Sequence, residues 1–246
     1  MKAKFRLWRS EPDGAGALQE YLTDVSEGMV VLDAVHRIQA EQAPDLAVRW
    51  NCKAGKCGSC SAEINGRPRL MCMTRLNSLD LNEPVTVEPM KAFPLVKDLV
   101  TDVSWNFSVK KTIQEFKPRK PDAADGTWRM AQKDIDRVQE HRKCIECFLC
   151  QDVCHVLRDH GKHSEFIGPR FLLYAAQLEM NPLDTADRVA DLKDKHNIGY
   201  CNITKCCTVV CPEHIKITDN AIIPLKERVV DQFYDPLTRL LRMFKS

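Results

Sequence analysis

Asn51–Cys60 reads NCKAGKCGSC, and Cys72 follows after eleven further residues. Four thiols are therefore set out as Cys52-x4-Cys57-x2-Cys60-x11-Cys72. Thiolates are soft ligands that suit iron–sulfur clusters or zinc. Zinc sites usually combine two short Cys-x2–4-Cys knuckles, whereas here the fourth cysteine stands alone. The x4, x2 spacing with a distant fourth cysteine is that of a 2Fe–2S cluster. Gly55 and Gly58 allow the loop to bend closely around such a core and aim its amide N–H groups inward. Cys72 returns after Asn65-Gly66, a strong two-residue hairpin signal.

Two further cysteine groups lie downstream. Cys144-x2-Cys147-x2-Cys150-x3-Cys154 is a cubane-binding run, whose fourth cysteine ligates the other cluster in two-cluster proteins. The proline expected after that cysteine is replaced by His155. The third group, Cys201-x5-Cys207-x3-Cys211-Pro212, ends in the Cys-Pro pair of a closing ligand. By the exchange rule, Cys211 completes a 4Fe–4S set with Cys144, Cys147 and Cys150. Cys154, Cys201 and Cys207 remain, and three ligands suit a 3Fe–4S cluster. Of 12 cysteines, Cys206 is then the spare. It adjoins Cys207, and adjacent side chains diverge. Its plain reading is a small buried residue; its sharper one is an alternative ligand.

Outward from the first cysteine loop, 2–8 alternate as a strand, Glu11–Gly16 forms a turn and Leu18–Val25 a second strand. Val31, Leu32, Val35 and Ile38 share one helical face, and Pro44 ends that helix. Residues 61–65 and 67–71 form the Asn65-Gly66 hairpin, and Val85–Glu88 another strand. Pro94 is expected to open a helix bearing Leu95, Leu99 and Val103. Pro118, Pro121, Asp122, Asp125 and Gly126 form a breaker-rich linker. Beyond it the periodicity is helical, over Pro169–Met180, Thr185–Lys195 and Asn220–Phe233. The expected class is α+β. A β-grasp 2Fe–2S module spans 1–110, a linker spans 111–127, and an all-helical two-cluster module resembling bacterial ferredoxins spans 128–246.

The bulk properties are ordinary for a globular chain: 246 residues, 44% hydrophobic, 28% charged and a net charge of +2. That balance points away from nucleic acid. No apolar run approaches the ~20 residues of a membrane span, and MKAKFRLWRSEPDG lacks the pattern of a secretory signal. The sequence has no Rossmann glycine fingerprint, phosphate loop or nucleophile–base pair, so no catalytic residue is expected in this chain. At the C-terminus, Arg239, Arg242 and Lys245 interleave with Leu240, Leu241, Met243 and Phe244. This basic amphipathic tail reads either as a membrane or anchor contact or as a solvated helix end.

A plant-type 2Fe–2S module followed by a bacterial two-cluster module resembles the iron–sulfur subunit of the succinate dehydrogenase and fumarate reductase family. The resemblance covers nearly the whole chain. It is carried by NCKAGKCGSC, Ile64–Pro68 (INGRP), Phe93–Trp105 (FPLVKDLVTDVSW), Cys144–Cys150 and Cys207–Pro212. It implies a flavoprotein partner with FAD that interconverts succinate and fumarate in the tricarboxylic acid cycle or its reverse. It also implies electron flow through the 2Fe–2S, 4Fe–4S and 3Fe–4S centres to a quinone at a membrane anchor. The chain itself would be peripheral, on the cytoplasmic side of the membrane. Family members usually place an aliphatic residue three positions after the first cysteine of the last group; here it is Thr204. They also place a proline and a tryptophan pair after the residue matching Cys154, and a histidine after that matching Cys201. Here His155–Asp159 (HVLRD) and Asn202 occupy those places. The chain thus resembles the branch that uses menaquinone and a di-haem cytochrome b anchor with haem b, with His155 the candidate on the quinone side. A free-standing ferredoxin-like carrier is the competing class.

Overall fold

The computed structural model describes residues 1–11 and 15–236. The basic segment containing Arg239, Arg242 and Lys245 lies outside the described residues, as does the middle of the Glu11–Gly16 turn. The strands are β1 (Lys2–Ser10), β2 (Gly16–Asp24), β3 (Ser61–Ile64), β4 (Arg67–Leu70), β5 (Val85–Glu88), β6 (Leu95–Lys97) and β7 (Val100–Thr101). The helices are α1 (Val31–Glu41), α2 (Ser104–Lys110), α3 (Gln132–Gln139), α4 (Leu149–Asp152), α5 (His155–Arg158), α6 (Gly168–Glu179), α7 (Val189–Asp194), α8 (Cys206–Val209) and α9 (Ile223–Phe233). Sheet and helices together make a mixed α and β chain, compatible with the expected α+β class.

The chain forms two compact units. The first comprises Met1–Trp105 together with Ile145–Val153 and Val210–Pro212. Its five-stranded sheet runs β2-β1-β5-β3-β4. β1 and β5 are parallel, while β1–β2, β3–β4 and β3–β5 are antiparallel. Alternation puts Ala3, Phe5 and Leu7 of β1 on the buried face. Val31, Leu32, Val35 and Ile38 of α1 join that core, as the helical periodicity predicts. Asp33 starts α1 by accepting the Val30 N–H at 3.1 Å. The β3–β4 turn has Asn65 at φ 48° and Gly66 at φ 71°, the left-handed pair that a tight hairpin requires. The Asn65 Oδ1 also accepts the Thr86 N–H at 2.8 Å, tying the turn to β5.

The helix expected from Pro94 does not form. Leu95–Lys97 and Val100–Thr101 pair as an antiparallel hairpin instead. The reason is Asp98, fully buried at the turn with φ 48°. Its carboxylate accepts the N–H groups of Ser10 at 2.7 Å and Ala47 at 2.8 Å, and Arg9 Nε at 3.2 Å. Three long-range donors fix a left-handed turn that helical spacing alone does not reveal.

The second unit comprises Asn106–Cys144, Cys154–Val209 and Glu213 onward. Among the described residues it is helical, apart from a single bridge between Pro118 and Asp184. That bridge explains why the helix expected at Thr185 starts only at Val189. Asp184 accepts the Lys117 N–H at 3.0 Å, and the Thr185 N–H donates to the Lys117 carbonyl at 2.8 Å. Arg188, 1% exposed, fixes the same segment. It donates to the Gln114 and Glu115 carbonyls and to Asp184, each at 2.8 Å. The helix expected over Asn220–Phe233 is present as α9, preceded by wide π turns over Ile217–Ile222. Pro224 in the first turn of α9 has no N–H, and the wider turns change the bonding pattern where that donor is missing.

Candidate metal centres

The first cysteine loop presents its thiols in two pairs. Cys52 is exposed and Cys57 half-buried, whereas Cys60 and Cys72 are buried. Among the described residues no three His, Cys, Asp or Glu side chains close on one point as a single-ion site requires. Pairing fits a two-iron core, where each iron takes two thiolates. Amide donors surround the sulfurs. Ala54 and Lys56 N–H groups reach Cys52 Sγ at 3.3 and 3.4 Å. Ser59 N–H reaches Cys57 Sγ at 3.5 Å, and Cys72 N–H reaches Cys60 Sγ at 3.5 Å. Two conformational demands make this possible: Gly55 and Gly58 sit at φ 67° and 69°.

The two pairs differ electrostatically. Backbone donors from Ala54 and Lys56 hold the exposed Cys52 thiol down to about 6. Burial pushes the Cys60 thiol up to about 12. The outer edge of the loop is ready to be thiolate, while the inner edge needs the positive charge of iron to become one.

Gly58 also abuts the second cysteine group within the same unit. A Cβ there would lie 2.5 Å from the Cys147 Cα. Ser61 Oγ donates to the carbonyls of Gly58 at 2.9 Å and Cys147 at 2.8 Å, linking the two loops. Cys147 and Cys150 are buried and Cys211 is half-buried, all in this first unit. Glu146 and Phe148 flank Cys147 at φ 54° and 61°, so the x2 spacing folds into alternating left-handed turns. The Asp152 carboxylate of α4 accepts the Ala92 N–H at 3.0 Å, and the Phe148 ring packs edge-on to Phe93. Cys144 belongs to the second unit, where its N–H donates to the His141 carbonyl at 3.4 Å.

Cys154, Cys201 and Cys207 all belong to the second unit. Cys154 heads α5, and its carbonyl accepts the Leu157 and Arg158 N–H groups at 3.0 and 2.8 Å. Cys207 Sγ lies 3.4 Å from Thr218 Oγ1. Thr218 in turn is fixed by Thr208, whose Oγ1 accepts the Thr218 N–H at 3.0 Å. The Cys201 carbonyl accepts Lys226 Nζ at 2.5 Å. Burial pushes Cys154 up to about 12 and Cys207 up to about 11. A buried thiol set of this kind suits a metal-sulfide core better than any solvent-facing chemistry. His155, half-buried, directly follows this set, with its ring 6.2 Å from that of His160.

Ser61, Thr218 and Lys226 support these loops, yet no local spacing singles them out. They are ordinary polar residues in sequence, and their partners lie up to 86 residues away. A polar residue one or two positions from a hydrophobic core run is the sole sequence trace they leave.

Comparison with known proteins agrees with this geometry. Residues 4–108 match the family model of a 2Fe-2S iron-sulfur cluster binding domain, and residues 140–215 that of a 4Fe-4S dicluster domain. The fumarate reductase iron-sulfur subunit of Mycobacterium tuberculosis (strain CDC 1551 / Oshkosh) is 30% identical over 212 residues, covering 85% of this chain and 84% of that protein. The succinate dehydrogenase iron-sulfur subunit of Paracoccus denitrificans is 28% identical over 234 residues, covering 93% and 88%. A chain of the Mycobacterium smegmatis Sdh1 complex in its apo form superposes with a TM-score of 0.91 at 60% identity, covering 96% of this chain and 98% of that one. The cysteine loops, the two cluster-binding domains and these relatives together assign the chain to the succinate dehydrogenase and fumarate reductase iron–sulfur subunits, the electron-transfer components of an oxidoreductase.

Proposed function

We propose that this chain carries electrons from succinate oxidation at an FAD flavoprotein to menaquinone at a cytochrome b anchor. Its three centres are 2Fe–2S at Cys52, Cys57, Cys60 and Cys72; 4Fe–4S at Cys144, Cys147, Cys150 and Cys211; and 3Fe–4S at Cys154, Cys201 and Cys207. When bound, these clusters supply one-electron carriers in series. The chain's own residues hold them, exclude water and tune them through burial and N–H donors. The observation that carries the reading is the set of four amide N–H groups aimed at the sulfurs of Cys52, Cys57 and Cys60. The sheet order β2-β1-β5-β3-β4 over α1 supports a β-grasp module over 1–110. The helical character after Gln132 supports the bacterial-ferredoxin-like assignment of 128–246, with 111–127 as linker.

Among the described residues no helix is long and apolar enough to cross a membrane. The proposed place is peripheral, on the cytoplasmic side, held by an anchor containing haem b. His155 is the quinone-side candidate. Fumarate reduction by the same wire is the reverse reading, favoured by the fumarate reductase relative. EPR of the purified complex with succinate and with menaquinol tests the assignment: three distinct signals are expected, one of them from an oxidised 3Fe cluster. Two clusters only, or bound zinc, would reject it. A chain that runs alone on gel filtration of a native extract would instead favour the free-standing carrier. His155→Ala should slow quinone reduction while dye reduction stays unchanged.

A further inference from the structure

Between α7, the short turn Ile198–Tyr200 and α9, all in the second unit, lies a cavity of about 480 Å³. That is within the size class of small-molecule sites, about 300–1,000 Å³. Lys226, Val229, Val230 and Tyr234 recur at i, i+3, i+4 and i+8, so they form one wall along a single face of α9. Across from them, Asn197 takes a left-handed φ of 48° and opens the Ile198–Tyr200 turn. That turn is braced through Glu165. Asn197 Nδ2 donates to the Glu165 carbonyl at 2.8 Å, and Tyr200 Oη to its carboxylate at 2.5 Å. Lys162 Nζ donates to the same carboxylate at 2.6 Å. A wall held in this way is organised before any ligand arrives.

The lining combines two chemistries. Ile198 and Val229 are buried and Val230 is exposed, an apolar wall that reaches the surface. Tyr200 and Tyr234 are 40% and 60% exposed. Each offers an apolar ring and a polar tip, the kind of side chain that sits at a membrane–water interface. Lys193 and Lys226 add two cations, and among the described lining residues there is no carboxylate. Lys226 Nζ uses one of its three donors on the Cys201 carbonyl at 2.5 Å. Lys193 Nζ lies 5.0 Å from the centre of the Phe233 ring and pairs with the exposed Asp194. An exposed pair of that kind is worth little and yields to a stronger anion. Five residues beyond Tyr234 the sequence reaches Arg239, Arg242 and Lys245, interleaved with Leu240, Leu241, Met243 and Phe244. Basic and apolar residues together are the composition that favours an anionic lipid surface.

We infer that this cavity holds the headgroup of an anionic phospholipid, its phosphodiester between Lys193 and Lys226 and the start of its acyl chains on Ile198, Val229 and Val230. This rests on the peripheral, anchor-held place proposed above. A zwitterionic headgroup would bring a further cation beside the two lysines, and a neutral quinone head would leave both charges unanswered. The lysine pair therefore selects for a net anion. Because Lys226 also bonds the Cys201 carbonyl, the same side chain joins the lipid site to the third cysteine group.

The test uses the intact complex, stripped of lipid in detergent and given a phosphatidylglycerol with a photoreactive diazirine on one acyl chain. After illumination, labelled peptides of this chain are mapped by mass spectrometry. Labels should fall within 197–200 and 226–234. Unlabelled phosphatidylglycerol should remove them where the same amount of phosphatidylcholine does not. Lys193→Gln and Lys226→Gln should each cut the labelling about fivefold, the factor one cation contributes to anionic lipid, and Lys193→Arg should keep it. If Lys226→Gln disturbs the Cys201 loop, Lys193→Gln decides alone. Labelling unchanged in Lys193→Gln, or competed equally by phosphatidylcholine or menaquinone, overturns the inference. Displacement by glycerol phosphate at the same concentration overturns it too, in favour of a soluble phosphate. Labelling that appears only once residues 237–246 are removed assigns the cavity to the chain's own end and likewise overturns it. A complex that purifies with its anchor but is labelled on the anchor alone sinks this inference and spares the peripheral reading. A complex that purifies without any membrane anchor rejects that reading and the lipid site with it.

Discussion

Gly58 and Gly66 both adopt left-handed backbone, at φ 69° and 71°, but their surroundings differ. A Cβ on Gly58 would meet the Cys147 Cα at 2.5 Å, whereas one on Gly66 would meet nothing within 4 Å. Gly66→Ala should therefore cost only the left-handed strain, about 1–2 kcal/mol. Gly58→Ala adds a backbone clash between two cluster loops, for a total of about 2–4 kcal/mol. Thermal unfolding of the two variants, with spin counting of the 2Fe–2S signal, checks this. Equal losses would mean that the loops yield at Gly58. The glycine in the cluster loop is legible from sequence as a permissive residue. Its contact with Cys147 is not, because 89 positions separate the two.

At the scale of elements, the segment before α7 is held by one buried cation. Arg188 faces Glu179 at 3.7 Å and Asp184 at 2.8 Å, as well as the two carbonyls at Gln114 and Glu115. Burial raises the Glu179 carboxyl even so. Removing the cation leaves two buried carboxyls without it, and Arg188→Leu should destabilise the unit by about 3–5 kcal/mol. Denaturant titration would register this as a lower unfolding midpoint. At the other end of α7, His196 is 3% exposed and its N–H donates to the Asp191 carbonyl at 2.8 Å. Burial holds its imidazole below the ordinary value, with Lys195 adding to the effect and Asp191 opposing it. The unfolded chain then binds the proton first as pH falls through about 6.5, so folding stability declines on acidification below that point. His196→Gln should flatten this part of the stability profile between about pH 7 and pH 5. An unchanged slope would assign the pH dependence to the other imidazoles that burial holds low, His36 and His141.

At the scale of the whole molecule, the cysteine loops are where cofactor binding and folding meet. Cys60, Cys154 and Cys207 are thiols pushed well up by burial. As the proposed cluster ligands, they would bind only when iron supplies the compensating charge. Anaerobic removal of iron by a chelator should raise hydrogen exchange first in 51–60 and 201–207, with the β1–β2 pair retaining its protection. Mass spectrometry of the exchanged complex reads this directly. Protection lost evenly across the chain would show that the clusters hold up the whole fold.

By itself the sequence determined the 2Fe–2S and 4Fe–4S binding domains and most of the element types. Cysteine spacing is a local property, and the thiols at 52, 57 and 60 must share one loop whatever the rest of the chain does. Strand alternation in β1 and the helical face of α1 are equally local, and both appear where their periods predict. Tertiary structure alone decided the hairpin after Pro94 and the late start of α7. Each turns on a partner distant in sequence: Ser10 and Ala47 for Asp98, and Lys117 for Asp184. Those interactions gain their strength from burial, which exists only once the chain has folded.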